Sequence, residues 1–281
     1  MSAGRSGGKC WGPMSPDLLV VLAFILRMGV AAAFVVVASM IAERSGPLIG
    51  AMVSTLPISA GPSYVFLALE HPPAFIADSV LTSLVINAVT AVFAVAYAAA
   101  AQRHGPAVSV AIALGLWLAA AVLVARVPWS LTGALGVNIV VFAVCVPLGQ
   151  RFVHVKMPLV RRRWYDVPLR AAMVGCLVTT VVGLSTQVGP ALTGVLTVFP
   201  IVLTSLMLIL QPRIGGPAAA AVIAHTTWGL VGFAAALVTL GLAVVPLGAA
   251  VALSAALAVS IGWNVMIWLW RRRETRAQEV G

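Results

Sequence analysis

Two prolines lie deep inside long hydrophobic stretches, and each has hydroxyl side chains around it. Pro57 belongs to the stretch 46–69 and Pro200 to the stretch 189–210. A proline inside a helix removes one backbone hydrogen bond and displaces a carbonyl one turn earlier. In lipid, the freed polar groups need partners in protein or in a water-filled cavity. The hydroxyls nearby are Ser54, Thr55, Ser59 and Ser63 in the first stretch and Thr197, Thr204 and Ser205 in the second.

The two proline stretches are related by a constant shift of 143 positions. This shift places Gly46 on Gly189, Pro57 on Pro200 and Arg27 on Arg170. Interrupted hydrophobic segments at matching positions of two halves are typical of transporter binding sites. The sequence therefore predicts a substrate site at the two prolines. The alternative is that both are packing kinks whose hydroxyls bond back to their own helices.

Three further polar residues fall within hydrophobic segments. Arg27 lies inside the first segment, where a charge is costly and suggests a counter-charge for an anionic substrate. His225 could relay a proton, and Asn87 lies in the corresponding region of the other half. The alternatives are an interfacial position for Arg27 and ordinary packing or interhelical bonding for the other two.

Catalytic signatures are missing from the sequence. Asp78 is taken as the sole acid near a span, and no buried carboxylate pair or recognised catalytic motif is found. We therefore expect no enzyme activity, no catalytic residue, no metal site and no cofactor.

The composition defines a membrane protein. Hydrophobic residues make up 62% of the 281 residues and charged residues 9%, against roughly 25% charged in soluble domains. The apolar runs are continuous, which predicts an all-α bundle. Nine spans are expected, at about 17–42, 47–69, 74–101, 106–125, 131–149, 169–186, 190–210, 217–240 and 246–270.

The basic residues set the orientation of these spans. With the C-terminus in the cytoplasm, 13 basic residues lie on the cytoplasmic side and 3 on the other. This predicts that the N-terminus lies outside. Of the 17 basic residues only Lys9 and Lys156 are lysine, which with the high Ala, Val and Gly content suggests a bacterial source and hence the inner membrane. The proline stretches, five spans apart, then cross in opposite directions. A single membrane domain would hold inverted repeats at about 17–126 and 168–270, linked by the span 131–149 and the basic cytoplasmic loop 151–168.

The layout resembles bacterial secondary transporters with inverted repeats, and the bile-acid/sodium symporter-like group has the most similar plan. The resemblance covers the topology and the paired prolines Pro57 and Pro200. It implies one broken helix from each half crossing near the membrane centre. It does not extend to that group's sodium-site residues, so sodium coupling and bile-acid-like substrates do not follow. The sequence also resembles bacterial membrane proteins of unassigned function with a repeated Gly-Pro segment.

The predicted function is that of a permease for a small solute, anionic if Arg27 takes part, which works by alternating access. The expected partners are this solute and membrane lipids, with a homodimer left open. Nucleic acid is excluded because the basic residues lie in loops between hydrophobic runs. Two alternatives stay open: a flippase or binder of an anionic lipid carrier, and a membrane scaffold without transport.

Overall fold

The computed structural model describes residues 16–44, 60–153, 155 and 165–280, and every regular element within these ranges is helical. In chain order the described helices are α1 (Pro16–Arg44), α2 (Ala60–Glu70), α3 (Pro73–Ala100), α4 (Pro106–Val124), α5 (Leu131–Gln150), α6 (Asp166–Thr197), α7 (Ile201–Ile214), α8 (Gly216–Leu247) and α9 (Ala249–Val280).

Six described helical segments are long and apolar enough to cross a membrane. An unbroken helix rises about 1.5 Å per residue, so these segments match or exceed the hydrocarbon thickness. The predicted class, an all-helical membrane protein, is confirmed at this level.

Helix starts follow the sequence signals. Pro73, Pro106 and Pro217 lie in the first helical positions of α3, α4 and α8. The first N–H groups of a helix have no intrahelical acceptor, so proline costs nothing there. Pro106 and Pro217 each follow a glycine in the sequence, and both lie at a helix start.

Helix α3 forms the core of the bundle. It packs against α4, α5, α6 and α8, and large side chains such as Phe93 and Tyr97 are fully buried along it. Ser83 Oγ donates to the carbonyl of Gly194 at 2.8 Å, and Tyr97 Oη donates to Gln211 Oε1 at 2.7 Å. The segment 190–214 therefore runs parallel to α3. We name the two ends of the bundle the Glu70 end, where α3 starts, and the Gln211 end, where α3 stops.

Helix α8 runs in the opposite direction along α3. Gly216, at the start of α8, packs on the carbonyl of Ala101 just after α3 ends. Midway along both helices, Asn87 Nδ2 donates to the carbonyl of Leu230 at 2.9 Å. Asn87 and Leu230 differ by 143 positions, which is the shift that relates the two proline stretches.

The chain reverses direction at Gly189, inside the range of α6. Gly189 has φ 73° and ψ 176°, which L side chains rarely adopt. Arg213 makes a two-bond ion pair with Asp166 at 2.7 and 2.8 Å. These residues would lie about 70 Å apart in a straight helix. Asp166 is therefore brought to Arg213 because 166–188 and 190–214 form an antiparallel hairpin.

Two further helix junctions consist of one glycine each. Gly215 links α7 to α8 and Gly248 links α8 to α9, with φ values of 82° and 79°. Trp263 Nε1 donates to the carbonyl of Trp228 at 2.8 Å, so α9 folds back along α8 after Gly248. A side chain at either glycine would strain this backbone.

Candidate functional site

The second proline stretch is a discontinuous helix. Helix α6 ends at Thr197, residues 198–200 are not helical, and α7 begins at Ile201. Pro200 precedes α7 with φ −77° and ψ 47°, outside the helical range. Its ring cannot supply the N–H that would continue the helix. The predicted break at Pro200 is therefore present.

The break lies beside the middle of α3. Phe199 makes an edge-to-face contact with Trp117, with ring centroids 5.2 Å apart. Trp117 Nε1 in turn donates to Thr90 Oγ1, in the central turns of α3, at 3.1 Å. Since α3 is about 42 Å long, its central turns lie far from both ends of the bundle.

Two of the predicted hydroxyls are bonded within their own helices. Thr197 Oγ1 donates to the carbonyl of Thr193 at 2.7 Å, and Ser205 Oγ donates to the carbonyl of Val202 at 2.9 Å. Both side chains are buried. This arrangement matches the alternative interpretation for Thr197 and Ser205, in which a hydroxyl satisfies itself on the backbone.

Thr204 differs from these two residues. Its side chain is 7% exposed, and Oγ1 has no hydrogen-bond partner within the described part of the chain. An unsatisfied buried hydroxyl costs on the order of 1–3 kcal/mol. Thr204 lies one turn after the break, because its N–H donates to the carbonyl of Pro200 at 2.9 Å. The unused hydroxyl therefore belongs to the first turns of α7.

A hydrogen-bond chain joins both proline stretches to α3. Tyr64 Oη, from α2, donates to Ser83 Oγ at 2.7 Å, and Ser83 Oγ donates to the carbonyl of Gly194 in α6. A Cβ on Gly194 would lie 2.3 Å from the carbonyl oxygen of Ser79, so glycine is required for this contact. Tyr64, Ser83 and Gly194 are not predicted from the sequence, since no local pattern marks contacts that arise only from packing.

The first proline stretch is described only in its second part. Ser54, Thr55, Pro57 and Ser59 lie outside the described residues, whereas Ser63 is fully buried on α2. Helix α2 contacts α6. The described part of the first stretch is thus next to the second one, as a shared site would require.

Asn87 lies on α3 and His225 on α8, two helices that pack against each other. Asn87 is fully buried and uses its amide nitrogen on Leu230, while Oδ1 has no partner among the described atoms. His225 is half-buried on α8.

Arg27 forms an ion pair with Glu70, the last residue of α2. This contact places its guanidinium beside the turn between α2 and α3. An anionic substrate at Arg27 would have to compete with this carboxylate.

The expectation that Asp78 is the sole acid near a span is wrong. Glu70 ends α2, and Asp166 begins α6 and pairs with Arg213. Both acids were overlooked because each lies at a hydrophobic boundary, whereas Asp78 is within α3 and exposed. Within the described ranges no group of three or more His, Cys, Asp or Glu side chains could hold a metal ion.

Two cavities flank the core, and both are mainly apolar. A cavity of about 70 Å³ lies between α2, α8 and α9, and Tyr64 is its polar contribution. A groove of about 410 Å³ lies between α5 and α8, with Asn138 as its polar lining residue. Neither Pro200 nor Thr204 is among the lining residues of these two cavities.

Comparisons with protein-family models, curated proteins and solved structures find no match to this chain.

Proposed function

We propose that the protein is a secondary transporter that carries a small solute across the membrane through nine spans arranged as an inverted repeat. The observation that carries the proposal is the discontinuous helix at Pro200, with the unused hydroxyl of Thr204 next to it. Backbone that is not helical at membrane depth is tolerated where it is packed in protein or lines a water-filled cavity. A broken span in the bundle centre is the arrangement that transporters use to bind substrate.

The pairing of equivalent helices supports the inverted repeat. Span three is α3, span eight is α8, and Asn87 bonds to Leu230 where these two antiparallel helices cross. A two-fold axis that relates residues 143 positions apart would bring such pairs together on the axis. The hairpin at Gly189 supplies two spans from the segment 166–214, which supports the count of nine.

The proposal is tested by the access of water to Thr204. In a variant whose native cysteines are replaced by serine, Thr204→Cys is introduced and treated with a membrane-impermeant thiol reagent in vesicles of either orientation. Transport predicts that Thr204→Cys is labelled from at least one side, because the site must open to solution.

The matched control is Met207→Cys, three residues along the same helix. Met207 is fully buried, so its cysteine is expected to remain unlabelled in both vesicle orientations. A Thr204→Cys variant as inert as Met207→Cys from both sides would favour the scaffold alternative, which the back-bonded hydroxyls of Thr197 and Ser205 support.

The groove between α5 and α8 favours a second candidate, a lipid flippase. The exposed residues Ile139 and Val140 lie on α5 beside it, so a lipid chain could enter sideways. Ala234→Trp would fill the groove, since Ala234 lines it. A flippase predicts that this variant slows the movement of fluorescent lipid between leaflets in proteoliposomes, whereas a solute transporter predicts no change.

A further inference from the structure

The start of α7 presents two backbone N–H groups for which the described residues supply no backbone acceptor. The N–H groups of Ile201 and Thr204 donate to the carbonyls of Phe199 and Pro200. For Val202 and Leu203, no acceptor is present within the described part of the chain. The first N–H groups of any helix lack intrahelical acceptors, and here they lie beside the middle of α3.

The side chain of Thr204 belongs to the first turns of the same helix. In an α-helix each Cα–Cβ bond tilts toward the N-terminus, and side chains at i and i+4 share a face. The Thr204 side chain therefore lies over the turn that starts at Pro200. It is 93% buried, since 7% is exposed, and Oγ1 has no partner among the described residues. This is an observation independent of the helix start, and it adds a third unused donor.

The charge around this site favours an anion. The N-terminus of a helix carries about half a positive charge, and the effect grows where water is excluded. The carboxylates of Glu70, Asp78 and Asp166 lie within the first or last two turns of their helices. A cationic group at the break would be repelled by the positive end of α7, and none of these three carboxylates lies there to compensate its charge.

We infer that the start of α7 is an oxyanion subsite, in which the N–H groups of Val202 and Leu203 and the hydroxyl of Thr204 bind a carboxylate or similar group of the solute. That the bound ligand is a transported solute rests on the proposed function. Helix N-termini bind anions through this combination of free N–H groups and dipole.

The subsite is tested by binding, without any transport measurement. The full-length protein is purified in detergent and its melting temperature is measured at constant ionic strength in sodium acetate, sodium phosphate and sodium chloride. An oxyanion that binds the folded state stabilises it by mass action. We expect acetate or phosphate to raise the melting temperature by about 3 °C or more over chloride.

Three threonine variants locate the effect. Thr204→Val keeps the shape and removes the hydroxyl, so the oxyanion-dependent rise should be lost, and Thr204→Ser should restore it. Thr179→Val is the matched control, because Thr179 is also buried but bonds to the carbonyl of Gly175 at 2.8 Å. It should keep the full rise.

Three results would overturn the subsite: an equal effect of chloride, a rise that persists in Thr204→Val, or stabilisation by phosphatidylglycerol and not by the soluble salts. The last result would assign the donors to a lipid headgroup. Labelling of Thr204→Cys from solution combined with no oxyanion effect would reject the subsite and leave the proposed transporter standing. A rise in melting temperature with oxyanions in the unsubstituted protein, combined with no labelling of Thr204→Cys, would reject transport and leave the subsite standing.

Discussion

The two ends of the bundle are each closed by an ion pair, but the charges are exchanged. At the Glu70 end, Arg27 of α1 pairs with Glu70 of α2. At the Gln211 end, Asp166 of α6 pairs with Arg213 just before α7 ends. Glu70 and Arg213 are 143 positions apart, so they occupy corresponding places just after the two proline stretches. In both halves an ion pair joins two consecutive spans at one end of the bundle. The first span carries the positive charge in the first half and the negative charge in the second half.

Within the part of the chain that the structure describes, the two ends also differ in the number of side-chain bonds that hold them. At the Gln211 end, Gln211 accepts from Tyr97 and donates to the carbonyl of His104 at 2.8 Å, in addition to the two bonds of Arg213 to Asp166. At the Glu70 end, the ion pair is joined by one bond of 2.6 Å between His71 Nε2 and Ser185 Oγ. Among the described residues, the Gln211 end is therefore held by more side-chain bonds than the Glu70 end.

The largest effect should come from Gly216→Ala at the Gln211 end. A Cβ there would lie 1.8 Å from the carbonyl oxygen of Ala101, and this backbone atom cannot move aside alone. We expect α8 to be pushed off α3 and the yield of monodisperse protein in size-exclusion chromatography to fall about tenfold or more, as for overpacking in a core. Gly183→Ala, with no atom within 4 Å of its Cβ, is the control. Normal folding of Gly216→Ala would show that this end is looser than described.

The next effect compares the two ion pairs directly. Asp166→Asn and Glu70→Gln each leave one arginine without its charged partner. The loss of stability should be greater for Asp166→Asn than for Glu70→Gln. The Asp166 side chain is 10% exposed and makes two bonds, whereas the Glu70 side chain is 29% exposed. Melting temperatures of the two variants measure the difference. The exchange Asp166→Arg with Arg213→Asp should recover part of the loss. An equal fall in both single variants would contradict the ranking of the ends.

The smallest effect should be a pH dependence at the Glu70 end. Burial lowers the pKa of His71 below its usual value near 6.5. The unfolded state then binds a proton more readily than the folded state as the pH falls through about 6.5, so stability decreases toward acid. We expect a fall in melting temperature of about 2 °C or less between about pH 7.5 and pH 5.5. His71→Gln, which keeps a polar side chain, should show a shallower dependence, and an unchanged slope would remove His71 as its source.

The sequence predicted the break at Pro200 because the cause is local. A proline ten residues into a hydrophobic run removes one helix hydrogen bond wherever the run is placed. The helix starts at Pro106 and Pro217 likewise have a local cause. The membrane-embedded helical class followed from composition, which also requires no knowledge of packing.

The partners of each polar side chain could not be predicted in this way. Thr197 and Thr204 look alike in sequence, yet one bonds to its own backbone and the other has an unused hydroxyl. The contact of Ser83 with Gly194 joins residues 111 positions apart. Such pairings depend on the offset between packed helices, and a change of one turn in that offset would pair different residues.

The single-glycine junctions couple the orientations of consecutive helices in the second half of the chain. A long loop would absorb a tilt of one helix before its neighbour moved. Gly215 and Gly248 leave one residue each between α7, α8 and α9. A rotation of α7 would therefore be transmitted directly to α8. Inserting a few flexible residues at either glycine would let the two adjoining helices move independently, although the sequence of each helix is unchanged.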